Sequence, residues 1–436
     1  MIKQKSQNHQ DNIFYTKLCE MINLKHELCL LSQKIPWEEF ETELSKYYTK
    51  DFGRPAKEIR MMVSLLILKQ IEACSDEGVI RHWRENPYWQ NFSGEEYFQW
   101  KEPCVPTELT KFRNRIGAKG VEKILEISIK LFGNRAMEEE VVADTTVQEK
   151  NITFPTDTKL HLKVIGRCLN ISKRESIVLR QSYKRTIKKL RWQVRYLKTA
   201  KRASEGRKAL RKIKTIAGRQ LRDLMRKLPE AVKQKYEKEL EIMNKILQQK
   251  KEDKNKIYSL HEPQVSCISK GKDYKKYEFG SKASLLITKT SGIIVGAASF
   301  QGSPYDGNTL EEQLNQSERL RGIRAARVLV DEGYRGRSKI EETEILRVHQ
   351  PNKKKKYSDR RWRAWFRRRA SIEAIISHLK NDYGLRRNYL KGSVGDSINL
   401  TLTAAAYNFR KLMYELSIIF RFWGRRFLFV FFYQTC

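Results

Sequence analysis

The chain has 436 residues, 40% of them hydrophobic, which is enough to bury a sizeable core in two or three cooperating units. It carries 87 lysines and arginines against 51 acidic residues, a formal net charge of +36. Self-repulsion of this size weakens a compact chain unless a polyanion offsets it. Nucleic acid is therefore the first candidate partner and an anionic membrane surface the second.

The cysteines argue against a zinc-binding protein, and the N-terminal residues argue against a secretory signal. The seven cysteines are scattered, with neither a CxxC pair nor a Cys/His cluster of zinc-ligand spacing. We therefore expect buried thiols in a cytoplasmic protein. The N-terminal MIKQKSQNHQ lacks the apolar segment of a secretory signal.

The first part of the chain predicts a helical domain. PAKEIRMMVSLLILKQIEA starts with Pro55, a residue favoured at helix starts, and continues as an apolar stripe of helical period. Further on, Thr107 could cap a helix that carries Lys111, Arg113 and Arg115, and a glycine-containing turn leads into a second amphipathic helix. This pattern fits a helix-turn-helix that touches DNA and an ordinary small helical bundle equally.

A short strand and a long basic stretch follow. EVVADTTV, residues 140–147, is β-branched and predicts a buried strand that ends at Asp144. Residues 172–256 are highly basic and predict a helical hairpin or bundle with Pro229 near one turn. Such a face could simply be solvated, but Trp192 and two tyrosines interleaved with the basic residues favour a nucleic-acid surface. The residues we expect to contact DNA there are Lys184, Arg185, Lys188, Lys189 and Arg191.

After Pro263 the pattern becomes that of an α/β sheet. VSCISK, YEFGSKASLLITKT and GIIVGAASF predict strands, with a hairpin turn at Thr290–Gly292. A helix capped by Asn308 or Thr309 precedes a buried strand that ends in Asp331. A basic loop and a long helix beginning near Arg368 come next. The C-terminal FLFVFFY is far too short for a membrane span of about 20 apolar residues, and it predicts a core strand or a terminal packing segment.

Three acids could form one metal site. Phosphodiester transfer uses two Mg²⁺ ions roughly 4 Å apart, and Mg²⁺ prefers carboxylate oxygens. Asp144 and Asp331 at strand ends and Glu373 in a helix are the candidates, because strand ends converge at one edge of an α/β sheet. Taken singly, the aspartates could be turn formers and Glu373 a salt-bridge partner. Tyr305, Asp306 and Asn308, in SPYDGNTL, could form a turn and helix cap or support the metals from nearby.

Three segments resemble the catalytic segments of DDE transposases of the insertion sequence five group. They are VVADTTVQEKNITFPTDTKL, LVDEGYRGR and RRRASIEAIISHLKNDYGLRRNYLKG. The last segment of that group reads Tyr, two residues, Arg, three residues, Glu, six residues, Lys. This chain supplies Arg369, Glu373 and Lys380 at those positions and departs at the first, where Phe366 stands for tyrosine.

The resemblance implies a ribonuclease-H-like catalytic domain, a mixed sheet flanked by helices, with a helical N-terminal DNA-binding domain and a basic helical insertion. Asp144, Asp331 and Glu373 would be catalytic and hold two Mg²⁺ or Mn²⁺ ions, and Arg369 and Lys380 would bind DNA. The expected boundaries are 1–135 for the N-terminal domain, 136–171 and 258–416 for the catalytic domain, 172–257 for the insertion, and 417–436 for an apolar tail.

The resulting hypothesis is a cytoplasmic transposase that cleaves DNA at its element's ends and joins the freed 3′-OH to target DNA. Two DNA ends must be handled together, so we expect a homodimer or a higher homo-oligomer. An inactive DNA-binding protein derived from a transposase is the main alternative. A basic membrane-surface protein is a third possibility, but it leaves the β segments unexplained.

Overall fold

The computed structural model describes residues 16–49, 55–250, 252–272, 275–347 and 360–433. The chain divides into two compact units. One combines the residues up to Glu149 with those from Ser281 onward, and the other is Lys150–Gly280. The insertion predicted at residues 172–257 falls inside the second unit.

The N-terminal segment of the first unit is helical. Its helices are α1 Leu18–Met21, α2 Glu27–Lys34, α3 Trp37–Ser45, α4 Ile59–Ile71, α5 Asp76–Glu85, α6 Pro87–Phe92 and α7 Pro106–Lys130, followed by a 3₁₀ turn at Gly133–Met137. α4 is the helix predicted from the apolar stripe. It is buried on nearly every side because apolar residues surround its axis, so it is the central helix of this bundle and not an amphipathic surface helix.

The seventh helix corrects the predicted cap and one predicted surface residue. α7 begins at Pro106 after the N-cap residue Val105, and not at a Thr107 cap. The predicted glycine turn is confirmed as a kink at Gly117, whose φ of +58° is readily adopted only by glycine. Arg113 does not face solvent: it is 3% exposed, and its guanidinium donates to both carboxylate oxygens of Asp76.

A mixed sheet follows in the chain. Its strands are β1 Glu140–Glu149, β2 Ser266–Lys272, β3 Lys275–Thr288, β4 Ile294–Phe300, β5 Arg327–Val330, β6 Lys339–Ile340 and β7 Thr343–Arg347. The order is β2-β3-β1-β5-β7-β6, with β4 also paired to β3. β5 lies between β1 and β7 and is parallel to both, whereas β3/β4 and β6/β7 are antiparallel. The predicted strands after Pro263 are confirmed, and Gly292 in the predicted turn has a φ of +62°.

Three helices cover the sheet of the first unit. α12 (Asp306–Arg321) packs on β4, α13 (Arg360–Asn381) packs on β1 and β5, and α14 (Gly392–Tyr433) packs on α7 and β4. The apolar core of this unit joins the N-terminal helices to the sheet. The sequence predicted a helix start near Arg368, but α13 begins at Arg360, eight residues earlier. The basic segment that precedes Arg368 is thus already helical.

The second unit is a helical bundle with its own apolar core. It contains α8 Asp157–Arg174, α9 Lys184–Gln193, α10 Ala203–Lys227 and α11 Glu230–Gln248, with 3₁₀ turns at Val194–Lys198 and Ala200–Arg202. Pro229 lies between α10 and α11 as predicted, since its ring cannot continue the first helix but starts the second readily.

Two further predictions are corrected at the C-terminus and among the cysteines. The apolar C-terminal run is part of α14 up to Tyr433 and is not a strand. Within the described part of the chain, no helix has the length and apolar character needed to cross a membrane. Cys29, Cys104 and Cys168 are buried as expected, but Cys19 on the short α1 is exposed. Cys436 lies outside the described residues.

Candidate active site

Asp144 and Asp331 lie side by side on neighbouring parallel strands. β1 and β5 pair in a register that ends at Val142 opposite Leu329, and the two aspartates each follow two residues later. Neighbouring strands are about 4.8 Å apart, so the two carboxylates share one edge of the paired region. Asp331 directly follows β5 as predicted. Asp144 does not end its strand, because β-branched residues carry β1 on to Glu149.

A backbone amide holds each of these carboxylates. Thr145 N donates to Asp144 Oδ1 over 2.7 Å, and Gly333 N donates to Asp331 Oδ1 over 2.9 Å. Each bond restricts the rotation of the carboxylate that accepts it. Thr145 thus orients Asp144 through its backbone amide.

A third aspartate, Asp306, lies in the same place. It is the first residue of α12, and its Oδ1 accepts hydrogen bonds from Thr145 Oγ1 over 2.7 Å and from Lys282 Nζ over 2.8 Å. A methyl group built on Gly333 would lie 2.9 Å from Asp331 Oδ1 and 3.3 Å from Asp306 Oδ2, so these two carboxylates flank one small space.

The sequence allowed two interpretations of Asp306, part of a turn and helix cap or a residue that supports the metals. The structure places the cap of α12 elsewhere and gives the Asp306 side chain different partners. The N-cap residue of α12 is Tyr305, and not Asn308 or Thr309. Thr309 Oγ1 instead donates to the Asp306 carbonyl over 2.8 Å. The Asp306 side chain points to Thr145 and not to its own helix. The only signal in the sequence was an acidic first-turn residue between two strands of the sheet.

A buried tyrosine completes the surroundings of the aspartates. Tyr334 is 2% exposed. Burial raises its pKa well above the ordinary value, and the negative charges of Asp144, Asp306 and Asp331 raise it further. An interaction with the Ser284 hydroxyl opposes this shift. The buried Tyr334 side chain therefore lies within the electrostatic influence of all three carboxylates.

Glu373 lies on α13, the helix that packs on β1 and β5. Its side chain is 61% exposed and forms an ion pair with Arg369, one turn earlier. Within the described residues, no three acidic, histidine or cysteine side chains are arranged so that they could hold a metal ion. The three predicted acids are thus not assembled into a metal site in this conformation of the chain.

The rest of α13 has one buried and one exposed side. Ile372, Ile375 and Leu379 are buried and form its apolar stripe. Lys380 is half-buried on the same helix. His378 is 63% exposed, and its Nδ1 lies 2.7 Å from Asp382 Oδ2 at the surface. The side chain of Phe366 lies outside the described residues.

The predicted DNA contacts of the insertion lie on α9 of the second unit. One surface depression of about 700 Å³, here called the basic patch, is lined by Arg185, Lys188, Lys189, Arg191, Trp192 and Arg195. Lys184 is also exposed but lines a neighbouring depression with Lys159 and Lys163. None of the five predicted residues forms an ion pair with a described residue, and Trp192 is 56% exposed. Unpaired cations beside an exposed ring form a surface suited to a polyanion.

Two family models and one known protein match parts of this chain. Residues 16–115 match the family model described as a transposase domain (DUF772), and residues 258–409 match the transposase DDE domain. Asp331, Glu373 and Lys380 lie in the second match. The uncharacterized protein ORF8 in the nfe locus of Rhizobium meliloti is 40% identical over 185 residues, which are 41% of this chain and 89% of that protein. No solved structure matches. The chain belongs to the DDE transposases of insertion sequences.

Proposed function

We propose that this chain is an active transposase of the insertion sequence five group. It cleaves DNA strands at the ends of its own element and transfers the freed 3′-OH to target DNA. The catalytic residues in this proposal are Asp144, Asp331 and Glu373. The catalytic domain is proposed to be ribonuclease-H-like, which the mixed sheet with helices packed on it supports.

The observation that carries the proposal is the placement of Asp144 and Asp331 on adjacent parallel strands. Two acids that are 187 residues apart in sequence follow the last register pair of β1 and β5 at the same distance. The helix that bears Glu373 packs on these same two strands. Three elements that are distant in sequence and carry one acid each are thus packed against one another, which supports a shared cation site.

The residues fit a hard divalent cation. The candidate ligands are carboxylates, the donors that Mg²⁺ and Mn²⁺ prefer. Asp144 and Asp331, brought together beside Asp306, repel one another unless a cation compensates them. The three acids would hold two ions, which supply activation of the attacking oxygen and stabilisation of the leaving oxygen when bound. Glu373 must separate from Arg369 before it can bind a cation. We therefore infer that the metal site is complete only when Arg369 pairs with another anion.

DNA phosphates are the natural anion for that exchange. In the proposal, Arg369 and Lys380 bind the strand that is being cut, and Lys380 holds a phosphate as a point charge. The basic patch and Lys184 grip the DNA further from the reaction, where phosphate contacts add affinity without reading sequence. The helical N-terminal segment is proposed to bind the element ends, and the protein to act as a homodimer or a higher homo-oligomer.

The test is nicking and joining of labelled element ends in Mg²⁺ and Mn²⁺. Asp144→Asn, Asp331→Asn and Glu373→Gln should each abolish both reactions while DNA binding persists, because each amide keeps the shape but removes the charge that holds the cation. Asp382→Asn, a surface change near the end of the same helix as Glu373, is the matched control and should remain active.

Two results would contradict the proposal. Substantial activity in one of the three acid variants would remove that residue from the site. A wild-type protein that binds element ends but never cuts them in either metal would favour the alternative, an inactive DNA-binding protein derived from a transposase.

A further inference from the structure

A chain of hydrogen bonds runs from a buried lysine to the candidate catalytic Asp144. Lys282 on β3 is 9% exposed, and its ammonium group donates to Asp306 Oδ1. The same oxygen accepts from Thr145 Oγ1. Thr145 in turn donates its amide to Asp144 Oδ1. Four residues from β1, β3 and α12 are linked in this way, and two of the three bonds join different elements.

The two carboxylate oxygens of Asp306 have different surroundings. A buried ammonium group needs a counter-charge, and Asp306 supplies it through Oδ1. Both side-chain hydrogen bonds that Asp306 accepts end on Oδ1. Its Oδ2 instead faces the space beside Gly333 that Asp331 Oδ1 also borders. One oxygen of Asp306 is therefore fixed by the scaffold, while the other is presented to the candidate site.

A buried tyrosine responds to the same three acids. Burial raises the pKa of Tyr334 well above the ordinary value, the negative charges of Asp144, Asp306 and Asp331 raise it further, and an interaction with the Ser284 hydroxyl opposes the shift. The three carboxylates therefore belong to one electrostatic group around a buried side chain.

We propose that Asp306 is a positioning residue for the metal-binding aspartates. Through Thr145 it fixes the part of β1 that holds Asp144, and through Oδ2 it limits where Asp331 can turn. Lys282 holds the Asp306 carboxylate in place from β3. This inference rests on the proposed function, because it assumes that Asp144 and Asp331 hold the cation. It adds a residue outside the three-acid pattern.

An exclusively structural role for Asp306 predicts a different result. An acid in the first turn of a helix stabilises that helix, and a buried ion pair ties a helix to a strand. Loss of either effect lowers the melting temperature but leaves the cation affinity of the folded protein unchanged. Cation affinity is therefore the readout that separates positioning from structural support.

The experiment is titration of Mn²⁺ into the full chain bound to duplex DNA that carries its own element end, with free Mn²⁺ followed by electron paramagnetic resonance. Asp306→Asn and Thr145→Val should weaken Mn²⁺ binding about 10- to 100-fold, the usual effect of losing an outer partner of a ligand. Thr145→Ser keeps the hydroxyl and should stay within about threefold of wild type. Glu311→Gln, which alters an exposed pair on the same helix, is the control.

The outcomes are distinguishable. If Asp306→Asn does not fold, Thr145→Val provides the test of positioning, since it changes no charge and keeps a β-branched residue in β1. Wild-type Mn²⁺ affinity in Thr145→Val, or in a folded Asp306→Asn, overturns this inference alone, provided that Asp144→Asn loses the ion. If Asp144→Asn binds Mn²⁺ as the wild type does, or the wild type binds none, the proposed function itself fails.

Discussion

Gly333→Ala adds one methyl group to the narrowest place in the candidate site. Gly333 lies two residues after Asp331 and is not among the described glycines with positive φ, so its backbone conformation suits alanine. The added carbon would lie 2.9 Å from Asp331 Oδ1 and 3.3 Å from Asp306 Oδ2. The first distance is shorter than carbon and oxygen tolerate. Asp331 must therefore rotate, or the turn after β5 must shift.

The two consequences differ in size. Displacing a reacting group by about 1 Å can cost roughly 100-fold in rate, so cleavage should fall by about that factor. Stability should change little, because alanine restricts the unfolded chain and offsets the contact, with a net effect within about 1 kcal/mol. The variant should therefore be folded, bind DNA and cut slowly. That combination identifies damage to the site and not to the fold.

The assay is single-turnover cleavage of a labelled element end, with thermal melting in parallel. Gly166→Ala is the matched control, since a methyl group there would meet nothing within 4 Å. It should cut like the wild type and melt at the same or a slightly higher temperature, because alanine is favoured over glycine inside α8. If Gly333→Ala cuts within about threefold of the wild-type rate, the carboxylates of Asp331 and Asp306 are not where the reaction occurs, and the site must be sought elsewhere.

Three further predictions concern DNA binding, strand transfer and stability. Replacing the four basic α9 residues of the basic patch with alanine should weaken DNA binding and flatten its salt dependence by about 0.9 per lost phosphate contact; an unchanged slope in a filter-binding titration would rule that surface out. Lys380→Ala should reduce strand transfer with little change in melting temperature, and an equal loss of both would mark the lysine as structural. Burial alone would raise the pKa of Asp76, but Arg113 and Lys69 outweigh it and lower the pKa from 3.8 to about 2. That carboxylate therefore stabilises the fold at neutral pH, and the contribution is lost as the pH falls through about 2. Asp76→Asn should cost about 2 kcal/mol at pH 7, and melts should show the difference from wild type shrinking below pH 4; a pH-independent difference would refute the pairing.

The local sequence was sufficient to predict the secondary structure of a segment wherever that segment had one consistent pattern. The strands after Pro263, the glycine kink in α7 and the turn at Pro229 were all predictable, because glycine, proline and side-chain periodicity act over a few residues. Asp144 and Asp331 could be nominated for a related reason, since acids that follow buried β-branched segments are conspicuous in a chain with a net charge of +36. Glu373 was nominated from its place in a predicted helix and from the family resemblance of its segment.

Only the tertiary structure decided which charged residues face one another. Arg113 looked like part of a basic surface, but Asp76 on another helix removes it from solvent. Asp306 looked like a cap, yet it bonds to Thr145, 161 residues away in sequence. Such partners are set by how strands and helices pack, and no local pattern encodes them. Sequence therefore determined the secondary-structure elements and the candidate acids of this protein. The packing of strands and helices decided that Asp144, Asp306 and Asp331 lie close together at one edge of the paired strands, while Glu373 forms an ion pair with Arg369.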